Sequence, residues 1–151
     1  MNDNLNLTEY VTFATAGQLF GLPIGRVQDV FKPATITRVP LAAPEIAGVL
    51  NLRGRIVTAI HLYARLGLEN RNRAAMPMAI GIESGSESFG LLVDSVGEVL
   101  KLADADREPN PINLDRNLAR VSSGVFRLDG QLLVVLDIDR LLDLGTEAAA
   151  A

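Results

Sequence analysis

Two blocks of this sequence occur twice, in the same order. The run Phe20-Gly21-Leu22-Pro23-Ile24-Gly25-Arg26-Val27-Gln28-Asp29-Val30 is echoed 69 residues later by Phe89-Gly90-Leu91-Leu92-Val93-Asp94-Ser95-Val96-Gly97-Glu98-Val99. Gly48-Val49-Leu50-Asn51-Leu52-Arg53-Gly54-Arg55-Ile56-Val57 is echoed 76 residues later by Gly124-Val125-Phe126-Arg127-Leu128-Asp129-Gly130-Gln131-Leu132-Leu133. Two copies with a period of about 70 residues are too few and too long for a solenoid, so they predict a tandem pair of similar lobes. A lobe of about 70 residues buries a marginal core by itself, and the two are expected to pack on each other. The predicted bounds are 9–68 for the first lobe and 77–145 for the second. A polar connector lies at 69–76, and a mobile tail is expected at 146–151.

Within each lobe, short apolar runs rich in Val, Ile and Leu are bounded by glycine-containing turns, which is the pattern of strands. Tyr10 to Thr15 and Phe20 to Ile24 flank Ala16-Gly17-Gln18, and Met78 to Glu83 and Phe89 to Val93 flank Ser84-Gly85-Ser86, predicting two hairpins. Arg53-Gly54 and Asp129-Gly130 mark two further turns. Asp137 to Gly145 predicts a short closing helix with Asp137 as its N-cap, and His61 to Gly67 is its counterpart with a poorer cap. The pattern as a whole predicts a mainly β fold made of two small barrels, each closed by a helical turn.

Composition removes much chemistry. The 151 residues contain no cysteine and a single histidine, His61, which excludes disulfides, thiolate sites and multi-histidine metal centres. A balance of 14 basic against 18 acidic side chains leaves −4, a poor match for nucleic acid or an anionic membrane surface. The longest aliphatic run, Leu132 to Leu136, is far short of the ~20 residues that cross a bilayer, and Met1 to Leu7 lacks the form of a secretion signal. A cytoplasmic location is expected.

Nor do the residues compose a reactive centre. Neither G-x-G-x-x-G nor Gly-Lys-Ser/Thr occurs, and Lys32 and Lys101 lie beside prolines or polar turns. His61 stands without a nucleophile elbow and reads as the start of a helix. Asp137 with Asp139, and Glu83 with Glu87, read as helix-dipole and turn residues rather than paired catalytic carboxylates. No catalytic residue, cofactor or metal site is expected. Ile24, Val27, Val30 and Phe31 have the spacing of one helical face, and Val93, Val96 and Val99 repeat it. Core packing accounts for that spacing, yet two related stripes could also wall one apolar groove between the lobes. Arg53 and Arg55 bracket Gly54, whereas the second copy has Asp129 and Gln131 there. The fold therefore does not demand arginine at this turn, and Arg53 could serve a partner's carboxylate or carbonyl in fork geometry.

Val27-Gln28-Asp29-Val30, Ile36-Thr37-Arg38-Val39-Pro40, Asn51-Leu52-Arg53-Gly54, Gly90-Leu91-Leu92-Val93-Asp94 and Val96-Gly97-Glu98-Val99-Leu100, in this order, closely resemble the CheW family. The resemblance covers nearly the whole chain. It implies two SH3-like five-stranded β-barrel subdomains and a scaffold that couples the histidine kinase CheA to chemoreceptors without catalysis. It also implies docking of the receptor's cytoplasmic hairpin at Val27, Asp29, Val30, Gly48, Arg53, Val96 and Val99. Contact with the kinase's regulatory domain is implied at Ile36, Arg38 and Val39. His61-Leu62-Tyr63 departs from the family's usual Asp-Leu-Arg, which removes a helix cap worth ~1 kcal/mol and an arginine that could bear on partner choice. Three alternatives are an adaptor of a non-chemotaxis kinase array, a small ligand-binding or hydrolytic barrel, and a fragment of a CheA kinase. Met1 and the short tail favour a complete chain over the last.

Overall fold

The computed structural model describes residues 6–33, 35–68 and 77–143. The expected connector at 69–76, Gly145 and the tail at 146–151 lie outside the described residues. Ten strands dominate the described residues. The first hairpin is β1 (Leu7–Thr15) and β2 (Gln18–Pro23), followed by a 3-10 turn (Ile24–Arg26) and β3 (Val27–Phe31). β4 (Ile46–Leu52) and β5 (Arg55–His61) form the next hairpin and lead into α1 (Leu62–Arg65). The second half repeats the strand order as β6 (Met78–Ser84), β7 (Glu87–Val93), β8 (Ser95–Ala103), β9 (Ser122–Leu128) and β10 (Gln131–Leu136), closed by α3 (Ile138–Leu141), with a 3-10 turn (Asp104–Asp106) and α2 (Arg116–Val121) added between β8 and β9.

All four predicted turns fall where glycine placed them, and positive φ at Gly17, Gly54, Gly85 and Gly130 is the reason. Asp137 caps α3 by accepting from the Arg140 amide at 3.1 Å, while His61 makes no side-chain cap bond to α1. Helix α2, capped by Asp115 through the amides of Asn117 and Leu118, lies outside the expected elements. Its six residues are too short to show helical periodicity.

Ten strands form two five-stranded sheets, ordered β8-β1-β2-β10-β9 and β3-β6-β7-β5-β4, consistent with SH3-like barrels. Replacing every strand of one sheet by its repeat mate produces the other order, so the internal repeat is also a structural pseudo-symmetry. The division expected at the connector is not the one the sheets follow. Each opening hairpin joins the other repeat's sheet: β2 pairs in parallel with β10, and β7 with β5. Residues 27–93 therefore carry one entire sheet, set between the two parts of the other. The chain crosses between sheets at the first 3-10 turn and at Asp94. Parallel pairing needs a crossover rather than a tight turn, so local sequence patterns carry no trace of it.

The main core cluster draws on both sheets. Phe13, Phe20, Leu22, Val125, Val134 and Leu136 from one meet Ile60, Ile80, Ile82, Leu91 and Val93 from the other, with Leu62, Leu118, Ile138 and Leu141 of the helices and Leu66 just after α1. Two smaller clusters lie beside it, around Leu50 and Val57 in one sheet and around Tyr10 and Phe126 in the other. Among the described residues no helix is long and apolar enough to cross a membrane.

Candidate functional site: two valine-bearing edge strands and an arginine turn

The i, i+3 valine spacing belongs to strands, not to helices as the spacing suggested. Ile24 lies in the 3-10 turn, Val27, Val30 and Phe31 lie on β3, and Val96 and Val99 lie on β8. A regular strand would send residues three apart to opposite faces, but each of these strands is irregular at this point. On β3, Val27 faces Ile82 and Val30 faces Ile80, with the register shift between Val27 and Asp29. On β8, Val96 faces Phe13 and Val99 faces Val11, with the shift between Val11 and Phe13. Cross-strand partners share a face, and Ile80 with Ile82, like Val11 with Phe13, are two residues apart. The extra residue in each strand thus returns both valines of a pair to one side.

Both strands are sheet edges, and both are placed against the same core. Val27 and Val96 pack on the shared cluster, while Val30 is 37% and Val99 48% exposed. Thr12 supports the β8 irregularity by donating its hydroxyl to the Glu98 carbonyl at 2.6 Å, and a side chain at Gly97 would crowd that hydroxyl. Two related valine pairs with one member anchored and the other in solvent are thereby presented by opposite halves of the molecule.

The Asn51-Leu52-Arg53-Gly54 run makes the β4–β5 turn. Asn51 accepts from the Gly54 amide at 2.9 Å, and Arg53 adopts φ 54. That turn carries the Arg53 guanidinium to Asp29 of β3, 3.2 Å away, although Arg53 is 77% exposed. Asp29 also accepts from the Val30 amide at 2.9 Å. Beside this pair is a pocket of about 350 Å³ whose floor includes Phe31, Leu52, Val57 and Phe89. Its polar rim continues from Arg55 to Glu83 at 3.3 Å and on to Gln28 at 2.9 Å. Glu83, read from sequence as a turn carboxylate, is thus the partner of Arg55. Gln28 and Ser88 carry no local sequence signal for this rim, because only the order β3-β6-β7-β5 brings them to it.

Gly48 does not sit with the valines. Its φ of 150 is one that side chains rarely adopt, and a Cβ there would collide with the Thr37 carbonyl. Thr37 and Val49 bridge here as Glu108 and Val125 do in the second repeat, where Gly124 plays the same part. The need for glycine at 48 is therefore steric. Ile36, Arg38 and Val39 are brought together on a separate groove of about 700 Å³, which Leu41, Ile46 and His61 also line. Ile36 leans on the Leu50 cluster, whereas Val39 is 42% exposed and Leu41, at φ 63, is fully exposed.

Asp137 and Asp139, like Glu83, have structural partners. Asp137 caps α3 and lies 3.6 Å from Arg140, and Asp139 pairs with Arg26 at 3.2 Å. His61 begins the step into α1, with its ring 5.3 Å from that of Tyr63. Among the described residues no group of His, Asp and Glu is arranged to hold a metal ion.

Comparison with known proteins agrees with this architecture. Residues 9–145 match the model of the CheW-like domain. The chain is 30% identical over 146 residues to a probable chemotaxis protein CheW of Rhizobium etli, covering 95% of this chain and 92% of the relative. It is 28% identical to the chemotaxis protein CheW of Thermotoga maritima, covering 93% and 91%. It is also 23% identical to chemotaxis protein CheA of Salmonella typhimurium, matching 97% of this chain but 21% of that protein. Among solved structures, the scaffolding protein TtCheW from Thermoanaerobacter tengcongensis superposes with a TM-score of 0.83 at 28% identity, covering 95% of this chain and 93% of the other. A repeat-built pair of five-stranded sheets, matched along nearly its whole length in sequence and in shape, places this chain in the CheW-like domain family.

Proposed function

We propose that this protein is a chemotaxis adaptor that couples a CheA-type histidine kinase to the cytoplasmic tips of chemoreceptors, acting in the cytoplasm at receptor arrays and catalysing no reaction. The observation that carries the reading is the pair of valine strips. Two edge strands from opposite halves of the molecule each offer a half-exposed valine beside an anchored one, over a core they share. Half-exposed valines of this kind suit the apolar face of an amphipathic helix, and the Asp29–Arg53 pair beside Val30 sets register and partner choice. The receptor hairpin is the partner assigned to Val27, Asp29, Val30, Arg53, Val96 and Val99. Gly48 serves that surface indirectly, by letting the β3–β4 loop close on β4.

The second partner is the kinase's regulatory domain, assigned to the groove of Ile36, Arg38 and Val39. A CheA whose matched part is about this chain's length contains a segment similar to the adaptor, which supports pairing between like folds.

The test is retention on an immobilised receptor signalling-tip fragment. Arg53→Glu replaces the Asp29 partner with a like charge on an exposed turn, so receptor retention is expected to fall several-fold with the circular dichroism spectrum unchanged. Full retention by this variant would refute the assignment of Arg53 to the receptor surface.

A further inference from the structure

On the described surface, a second polar feature lies away from both grooves, where the three helices meet. The cavity there measures about 250 Å³ and is lined by Arg65, Asn117, Arg120, Val121, Arg140 and Asp143. Each arginine stands in the last turn of a different helix. Three guanidiniums against the lining Asp143 and against Asp137, which pairs with Arg140, leave a local excess of one positive charge on a chain whose net charge is −4.

Helix-end capping explains part of the arrangement. Arg65 donates from Nε to the Leu141 carbonyl at 2.7 Å and from Nη2 to the Arg140 carbonyl at 3.1 Å. Arg140 donates from Nη1 to the Arg120 carbonyl at 3.4 Å, and its Nε lies 3.6 Å from Asp137. Capping does not explain Arg120, whose side chain has no acceptor among the described residues although it lines the same cavity. Nor does the repeat place a cation at the positions matching Arg65 and Arg140. The repeat mate of Arg65 is Leu141, and that of Arg140 is Ala64.

We infer that this cavity is a binding site for a phosphate-class oxyanion. Two of its guanidiniums are held in place by backbone carbonyls before any ligand arrives, so little freedom is lost on binding. Each keeps N–H groups beyond those already used, since a guanidinium offers five. Arg120 supplies the uncommitted fork, and planar forks match the oxygens of phosphate in pairs. The ligand would tie α1, from the first repeat, to α2 and α3, from the second.

Inorganic phosphate is titrated into the full-length protein by calorimetry at constant ionic strength, with sodium chloride as the matched control. Saturable binding of phosphate but not chloride is expected. Arg120→Gln removes one charge-assisted contact and is expected to weaken binding about tenfold or more. It leaves the Arg120 carbonyl that Arg140 uses. Arg127→Gln, which removes a cation paired with Glu108 elsewhere on the surface, is expected to leave binding unchanged. Glycerol phosphate distinguishes the sources. Equal affinity identifies a phosphomonoester group, and binding of inorganic phosphate alone identifies the free ion. Equal heats with chloride, unchanged affinity in Arg120→Gln, or equal weakening by Arg127→Gln would each overturn the site.

Discussion

Gly48 and His61 show at the residue scale how backbone geometry and capping chemistry separate. Gly48→Ala forces a side chain into a left-handed φ and against the Thr37 carbonyl. The expected loss is about 2 kcal/mol or more in urea denaturation, with any loss of partner binding following from the displaced β3–β4 loop. His61 stands at the N-cap of α1 without a capping bond, where its repeat mate Asp137 makes one. His61→Asp is therefore expected to stabilise the protein by about 1 kcal/mol, read as a rise in the denaturation midpoint. Asp137 was legible as a cap from its place before an apolar run. The steric demand at Gly48 was not, because it depends on Thr37, eleven positions away and on another segment.

Edge strands β3 and β8 illustrate why element type can be misread while element content is read well. Valines three apart signal one helical face, and the same spacing on a strand signals a register irregularity that restores one face. Nothing local distinguishes the two; the partner strands β6 and β1 decide. Because Val30 and Val99 are partly in solvent, replacing both with threonine keeps β-branching and shape while removing two methyl groups from the docking surface. Stability is expected to change by less than about 1 kcal/mol. Affinity for the receptor fragment is expected to fall about tenfold, from ~0.8 kcal/mol per buried carbon. Unchanged binding in a titration would move the receptor surface away from these strands.

The whole molecule is two sheets that exchange hairpins over one core. Residues 27–93 contain a complete sheet in unbroken sequence, which makes that segment look separable. Its Ile80, Ile82, Leu91 and Val93, however, pack into the cluster with Phe13, Phe20, Val134 and Leu136 from outside it. Arg26 adds an exposed tie, reaching the Glu83 carbonyl at 3.4 Å and Asp139 at 3.2 Å. An isolated 27–93 fragment is expected to show no cooperative unfolding transition in urea, whereas the full chain unfolds in a single one. A sharp transition in the fragment would show that the shared core is dispensable.

The repeat, the hairpin turns, the Asp137 cap and the family motifs were determined by sequence alone. Each rests on contacts or backbone preferences spanning a few residues, or on direct comparison of the chain with itself. Tertiary structure decided which hairpin completes which sheet, which face the valines occupy, and which charges Arg53 and Arg55 meet. Those outcomes depend on pairings between segments distant in sequence, where burial of a common apolar core, rather than local propensity, selects the partner.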